Sequence, residues 1–164
     1  MPFFLRRVSY AAWQGKWPVA DGERADSYDD FTLREVDTDG LSLFAVDTEN
    51  ERLLVVAAIA CERKKVGNVD LLEISDEHIM DLGEAVPTPG TFALMPVNAL
   101  HRSFAWEQAR LNQLVDRLLE LRCKAVRYKK VEVTAALTQI ELEDVESGPH
   151  RDWLVSIKTT TSPK

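Results

Sequence analysis

Three histidines, His78, His101 and His150, are the side chains best suited to move protons near neutral pH. None is spaced with another histidine or with Cys61 or Cys123 in the manner of a zinc ligand set, so no metal site and no cofactor are expected. The chain pattern places His78 and His101 in the first turns of two helices, where the positive end of the helix dipole pushes an imidazole toward its neutral form. His101 is the foremost of the three, because it follows the Pro96 loop and has Arg102 and Ser103 beside it.

Carboxylates are plentiful, and Asp29-Asp30, Asp76-Glu77 and Glu143-Asp144 are the close pairs. Neighbours on a strand point to opposite faces, so adjacency alone does not bring two carboxylates onto one metal or one proton. Asp144, Glu146 and Lys158 loosely match the acid, acid, lysine order of metal-dependent nucleases, with Ser156 where a further acid would stand. His101, Asp144 and Lys158 therefore define an alternative reading as a small metal-dependent phosphodiesterase.

Charge is unevenly spread. The 164 residues carry a net charge of −7, which opposes nonspecific binding to nucleic acid. Residues 21–51 hold eleven acids against Arg24 and Arg34, a local charge of −9, whereas residues 101–130 reach +5. Arg122, Lys124, Arg127, Lys129 and Lys130 form the densest basic run and the candidate binding surface, for an acidic protein or a second copy of the chain. One aromatic ring, Tyr128, interleaves with them, which is thin for stacking nucleic-acid bases. In and just before the acidic stretch, Trp13, Trp17, Tyr28 and Phe31 read as rings that pin a long loop to the domain, with a docking segment for a basic partner as the competing reading.

Several mechanism-bearing patterns are missing: a phosphate-binding glycine loop, a dinucleotide fingerprint, His-Glu-x-x-His and the Gly-x-Ser-x-Gly elbow. Cys61 and Cys123 lie far apart among apolar residues and read as buried thiols in a reducing compartment. The opening residues lack the order of a signal peptide, and the longest apolar run, 53–61, is too short to cross a bilayer. A soluble, cytoplasmic protein without membrane attachment is expected.

These side chains need elements to position them. Phe3–Tyr10 reads as a strand, residues 13–30 as a loop, and 31–36 with 41–46 as a hairpin around Asp37-Thr38-Asp39-Gly40. The apolar run 52–61 reads as a buried strand after a turn at 47–50, and Val69–Ile74 as extended. Ser75 caps a short helix over about 76–82 that turns Ile79 and Leu82 inward. Val86-Pro87-Thr88-Pro89-Gly90 reads as an irregular connector, and Thr91–Met95 as a short strand. An amphipathic helix is predicted over about 99–123, from Leu100, Phe104, Leu111, Leu114, Val115, Leu118 and Leu121. Period-two alternation predicts a hairpin of strands 130–143 and 153–159, with helix over 135–145 as the competing reading.

The expected fold is α+β: a mostly antiparallel sheet of about six to eight strands, the long helix on one face, and one globular domain over 1–158 with a frayed tail at 159–164. Its expected core comprises Leu43, Val55, Ile59, Phe104, Leu111, Leu114, Leu118, Val133, Leu137 and Val155. With no catalytic constellation in view, the expected function is a protein–protein interaction module without enzymatic activity, such as a small subunit, adaptor or inhibitor.

Overall fold

Leu111, Leu114, Val115, Leu118 and Leu119 recur at three- and four-residue steps, and all five are buried along one stripe of a helix, Gln108–Glu120. The computed structural model containing this helix describes residues 3–34 and 40–161. The chain divides into two compact units, one of Met1–Asp47, Asp70–Thr88 and His101–Arg127, the other of Thr48–Val69, Pro89–Leu100 and Tyr128–Lys164.

In the first unit β1 (Phe3–Arg7), α1 (Asp21–Asp29), β2 (Leu41–Val46), β3 (Val69–Ser75), β4 (Val86–Pro87), β5 (His101–Phe104), α3 (Gln108–Glu120) and β6 (Ala125–Tyr128) follow in chain order, with α2 (Glu49–Arg63) intervening in the second. The fold is α+β, with a six-stranded sheet in the order β4-β5-β2-β1-β3-β6. Antiparallel pairing sets Leu5 against Phe44 and Glu73, and Phe44 against His101. Alternation then puts Phe4, Leu41, Leu43, Leu72, Ile74 and Phe104 on one face, in a single apolar cluster with the α3 stripe. Fully burying one such leucine contributes about 1.5–3 kcal/mol, so this face is a major source of the stability of the unit.

The long helix is thus present but shorter than its sequence pattern. Residues 101–104 form β5, and 95–100 a 3-10 turn, so His101 opens a strand rather than a helix. Leu100 and Phe104 satisfy a helical spacing by coincidence, while β2 supplies the ladder partners that residues 101–104 take up. At its far end α3 stops at Arg122, left-handed at φ 55°, where Cys123 N–H and Arg122 N–H return to the Leu118 and Leu119 carbonyls. The short helix reduces to a 3-10 turn, Asp76–His78, with Ile79 buried beyond it and His78 at its last position. Residues 13–30, expected as loop, include α1, whose sole buried residue is Ser27. Trp13 and Phe31 are fully buried and tilted against each other, so these rings do pin the segment. Val86–Pro87 is not irregular: as an edge strand it tolerates a proline, which has no N–H to donate. The expected turn at Asp37–Asp39, with Glu35 and Val36 before it, lies outside the described residues.

The second unit corrects the reading most. The run read as strand is α2, a fifteen-residue helix buried continuously from Val55 to Cys61. Such a run carries no period of its own, and what decides is its cap: Thr48 Oγ1 accepts the Glu51 N–H at 3.2 Å while Glu51 Oε2 accepts the Thr48 N–H at 3.0 Å. Thr48→Ala is expected to cost about 1 kcal/mol, read as a lower urea midpoint. The predicted C-terminal hairpin is instead α4 (Lys130–Thr138) and α5 (Pro149–Thr161), both packed on α2. Val133, Ala136 and Leu137 face inward at helical spacing, leaving Val131 exposed. Gly148 and Pro149 start a helix rather than turn a hairpin, and Val155, placed in the core from its alternation, is 42% exposed. The other nine expected core residues are buried. Residues 91–95 form no strand, although Leu94 makes an isolated bridge with Val145. The tail is helical to Thr161.

Candidate functional site

An open polar cleft of about 630 Å³ lies in the first unit where the end of β1, the end of α1 and the start of β2 meet. Arg6, Arg7, Ser9, Asp29, Asp30 and Arg34 line it, giving three guanidinium groups against two carboxylates.

Two of these groups build the cleft. Arg6 donates through Nε and Nη2 to the Asp30 carbonyl, at 3.1 and 2.9 Å, and through Nη1 to the Ser42 carbonyl at 2.7 Å, stapling α1 to the sheet. The Asp30 carboxylate accepts the Ser9 N–H and hydroxyl and, at 2.9 Å, the indole N–H of buried Trp13. Arg7, Asp29 and Arg34 are exposed at the rim. A guanidinium presents planar pairs of donors that match a carboxylate or a phosphate, so the rim suits an anionic ligand held by charge-assisted hydrogen bonds.

The basic run, Arg122, Lys124, Arg127, Lys129 and Lys130, is exposed at all five positions. Arg127 gives both arms to Asp70, at 2.7 and 3.0 Å, and lies 4.0 Å from the Tyr10 ring centroid. Lys124 bridges to Gln14, and Arg122 serves as the left-handed end of α3. Lys129 and Lys130 belong to the second unit, where Lys129 caps α4, its N–H held by Glu132 at 2.7 Å, and the Lys130 N–H donates to Asn68 at 3.2 Å. Of the five side chains, Arg127 is thus engaged in an ion pair.

The residues of the alternative site fall in both units. His101 belongs to the first unit, Asp144 and Lys158 to the second. Asp144 ends a 3-10 turn, and Lys158 Nζ donates to the Thr138 carbonyl at 2.9 Å. The hairpin that was to carry the acid, acid, lysine order is a pair of helices. Among the described residues no group of three or more His, Cys, Asp or Glu is placed to hold a metal ion. Burial raises the Cys61 thiol to about 11 and pushes Cys123 upward as well, so neither is a ready nucleophile at neutral pH.

His101 does acquire hydroxyl partners. Thr88 Oγ1 lies 2.8 Å from His101 Nδ1 and 3.0 Å from Ser103 Oγ. His101 and Ser103 share a face of β5, and the Phe44 ring meets the imidazole edge-on at 5.8 Å. Sequence reading noted Ser103 beside His101 but missed Thr88, whose signal was its place between Pro87 and Pro89. It also missed the cleft, whose signal was the Arg6-Arg7 pair at a strand end.

The fold and cleft together define an α+β protein with an arginine-rimmed polar depression. Compared with known proteins, the chain matches no family model, no curated protein and no solved structure.

Proposed function

We propose that the protein is an interaction module, not an enzyme, and that the arginine-rimmed cleft receives a carboxylate-rich segment of a partner protein. The observation that carries this reading is the cleft itself, a concavity of about 630 Å³ with Arg6, Arg7 and Arg34 in its lining. Its volume falls within the range of about 300–1,000 Å³ typical of ligand sites, while its polar walls suit a charged side chain better than an apolar small molecule. Arg6 and Asp30 hold the walls, and Arg7 and Arg34 supply the contact.

The test uses isotope-labelled protein titrated with a short polyglutamate peptide. Amide shifts are expected at Arg7, Ser9 and Arg34, with affinity falling as salt rises from about 0.05 to 0.5 M, since screening shortens to a few ångströms. Arg7→Glu with Arg34→Glu is expected to weaken binding about tenfold or more, because it places like charge against the ligand. Equal affinity in the double variant, or shifts confined elsewhere, would discard the cleft as the binding surface. Magnesium-dependent cleavage of DNA or RNA abolished by Asp144→Asn would replace the whole reading with the phosphodiesterase.

A further inference from the structure

The Thr88, His101, Ser103 cluster supports an inference that goes beyond the binding reading and does not depend on the cleft. Hydrogen-bond direction decides what it can do. Ser103 is 1% exposed, and among the described residues its hydroxyl meets one polar partner, Thr88 Oγ1. If Thr88 donated to Ser103, the Ser103 proton would be buried without an acceptor, an arrangement folded proteins avoid. The satisfied direction runs from the Ser103 hydroxyl to Thr88 Oγ1, and from the Thr88 hydroxyl to His101 Nδ1. The imidazole is then neutral, with its proton on Nε2.

Thr88 therefore has a base at its proton, the aid that an activated hydroxyl requires, while Ser103 fixes the orientation of its hydroxyl. It is the partly exposed member of the three, whereas Ser103 is closed to a reagent. Pro87, paired with Arg102 in the ladder, and Pro89, which holds the preceding residue extended, fix the Thr88 backbone from both sides.

We propose that Thr88 is a nucleophilic hydroxyl that accepts acyl groups from activated esters, with His101 as its general base. Thr88 Oγ1 forms a bond to the acyl carbon as its proton passes to His101 Nδ1. The carbon–oxygen bond to the leaving group breaks, and the departing alcoholate takes that proton, restoring the neutral imidazole. The product is an ester on Thr88, with no change of oxidation state.

The experiment treats the full chain with 4-nitrophenyl acetate and maps the product by peptide mass spectrometry. One acetyl group is expected on Thr88, absent from Thr88→Val, retained in Thr88→Ser, and formed about 100-fold more slowly in His101→Gln. Met80→Ala, at a position 75% exposed and outside both sites, is expected to acetylate normally. A second measurement is free of folding effects: the imidazole nitrogen shifts of the wild-type protein should show Nδ1 of His101 unprotonated. Acetyl groups on lysines alone, an unchanged rate on Thr88 in folded His101→Gln, or a protonated Nδ1 on neutral His101 would each overturn the assignment.

Discussion

Gly40→Ala is expected to destabilise the sheet by about 3–5 kcal/mol, combining backbone strain of about 1–3 kcal/mol with overpacking of similar size. Gly40 has φ +101°, a region that side chains with a Cβ rarely enter. A Cβ there would stand 2.2 Å from the Phe104 carbonyl oxygen and 2.8 Å from Ala105 Cα, both backbone atoms with no rotamer by which to retreat. The next residue, Leu41, pairs with Phe104, so β2 and β5 must separate at the start of their ladder. Gly22→Ala is the control: it lies in α1 with nothing within 4 Å of its Cβ position, and alanine is favoured over glycine in a helix by about 1 kcal/mol. Urea denaturation should move the two variants in opposite directions. A Gly40→Ala protein as stable as the wild type would mean that the Leu41–Phe104 register is wrong.

Asp30→Ala is expected to cost about 3–4 kcal/mol, since hydrogen bonds to a charged group contribute about 1.5–3 kcal/mol and a buried donor left without a partner adds about 1–3 kcal/mol. The exposed Ser9 groups can turn to water, but the Trp13 indole is fully buried and loses its acceptor. Asp30→Asn keeps an oxygen for the indole and should recover part of the loss. Chemical denaturation followed by tryptophan fluorescence measures both. If Asp30→Ala unfolds at the wild-type midpoint, Trp13 is not held by that carboxylate, and the cleft floor lacks the anchor described for it.

How much was readable beforehand depended on what kind of physics carried each element. The stripe from Leu111 to Leu119 is repeated often enough to specify a helix without tertiary help, and the mixed α+β class followed from such patterns. Leu100 and Phe104 extended that stripe falsely, because a single four-residue coincidence is cheap and the ladder with Leu41–Phe44 is invisible locally. Val131, Val133, Ala135 and Leu137 alternate as a strand would, yet burial against α2 selects Val133, Ala136 and Leu137. The signal for α2 was present in Thr48 and Glu51, a reciprocal cap that outweighs the β-branched residues following it. Neither site was legible as a group. Arg6, Asp30 and Ser42 come together through strand pairing and a helix end, and Thr88 meets His101 across the edge of a sheet. The five residues of the basic run, close in sequence, fall in two units.

Each compact unit is assembled from three separate stretches of chain, which has a consequence for biosynthesis. A ribosome releases the residues in order, but no contiguous fragment holds either unit alone: the stretch from Met1 to Arg127 that completes the sheet unit also carries Thr48–Val69 and Pro89–Leu100 of the other. Helix α2 ends at Arg63, and its partner α5 ends at Thr161. At elongation rates of about 5–20 residues per second, the apolar middle of α2 emerges roughly 5–20 s before that partner exists. Until α4 and α5 have both emerged, Val55 to Cys61 lacks the complete cover they give it, so the nascent chain presents part of this apolar segment to whatever holds unfolded polypeptides near the exit tunnel. Translation speed between codons 63 and 161 thus sets how long that exposure lasts.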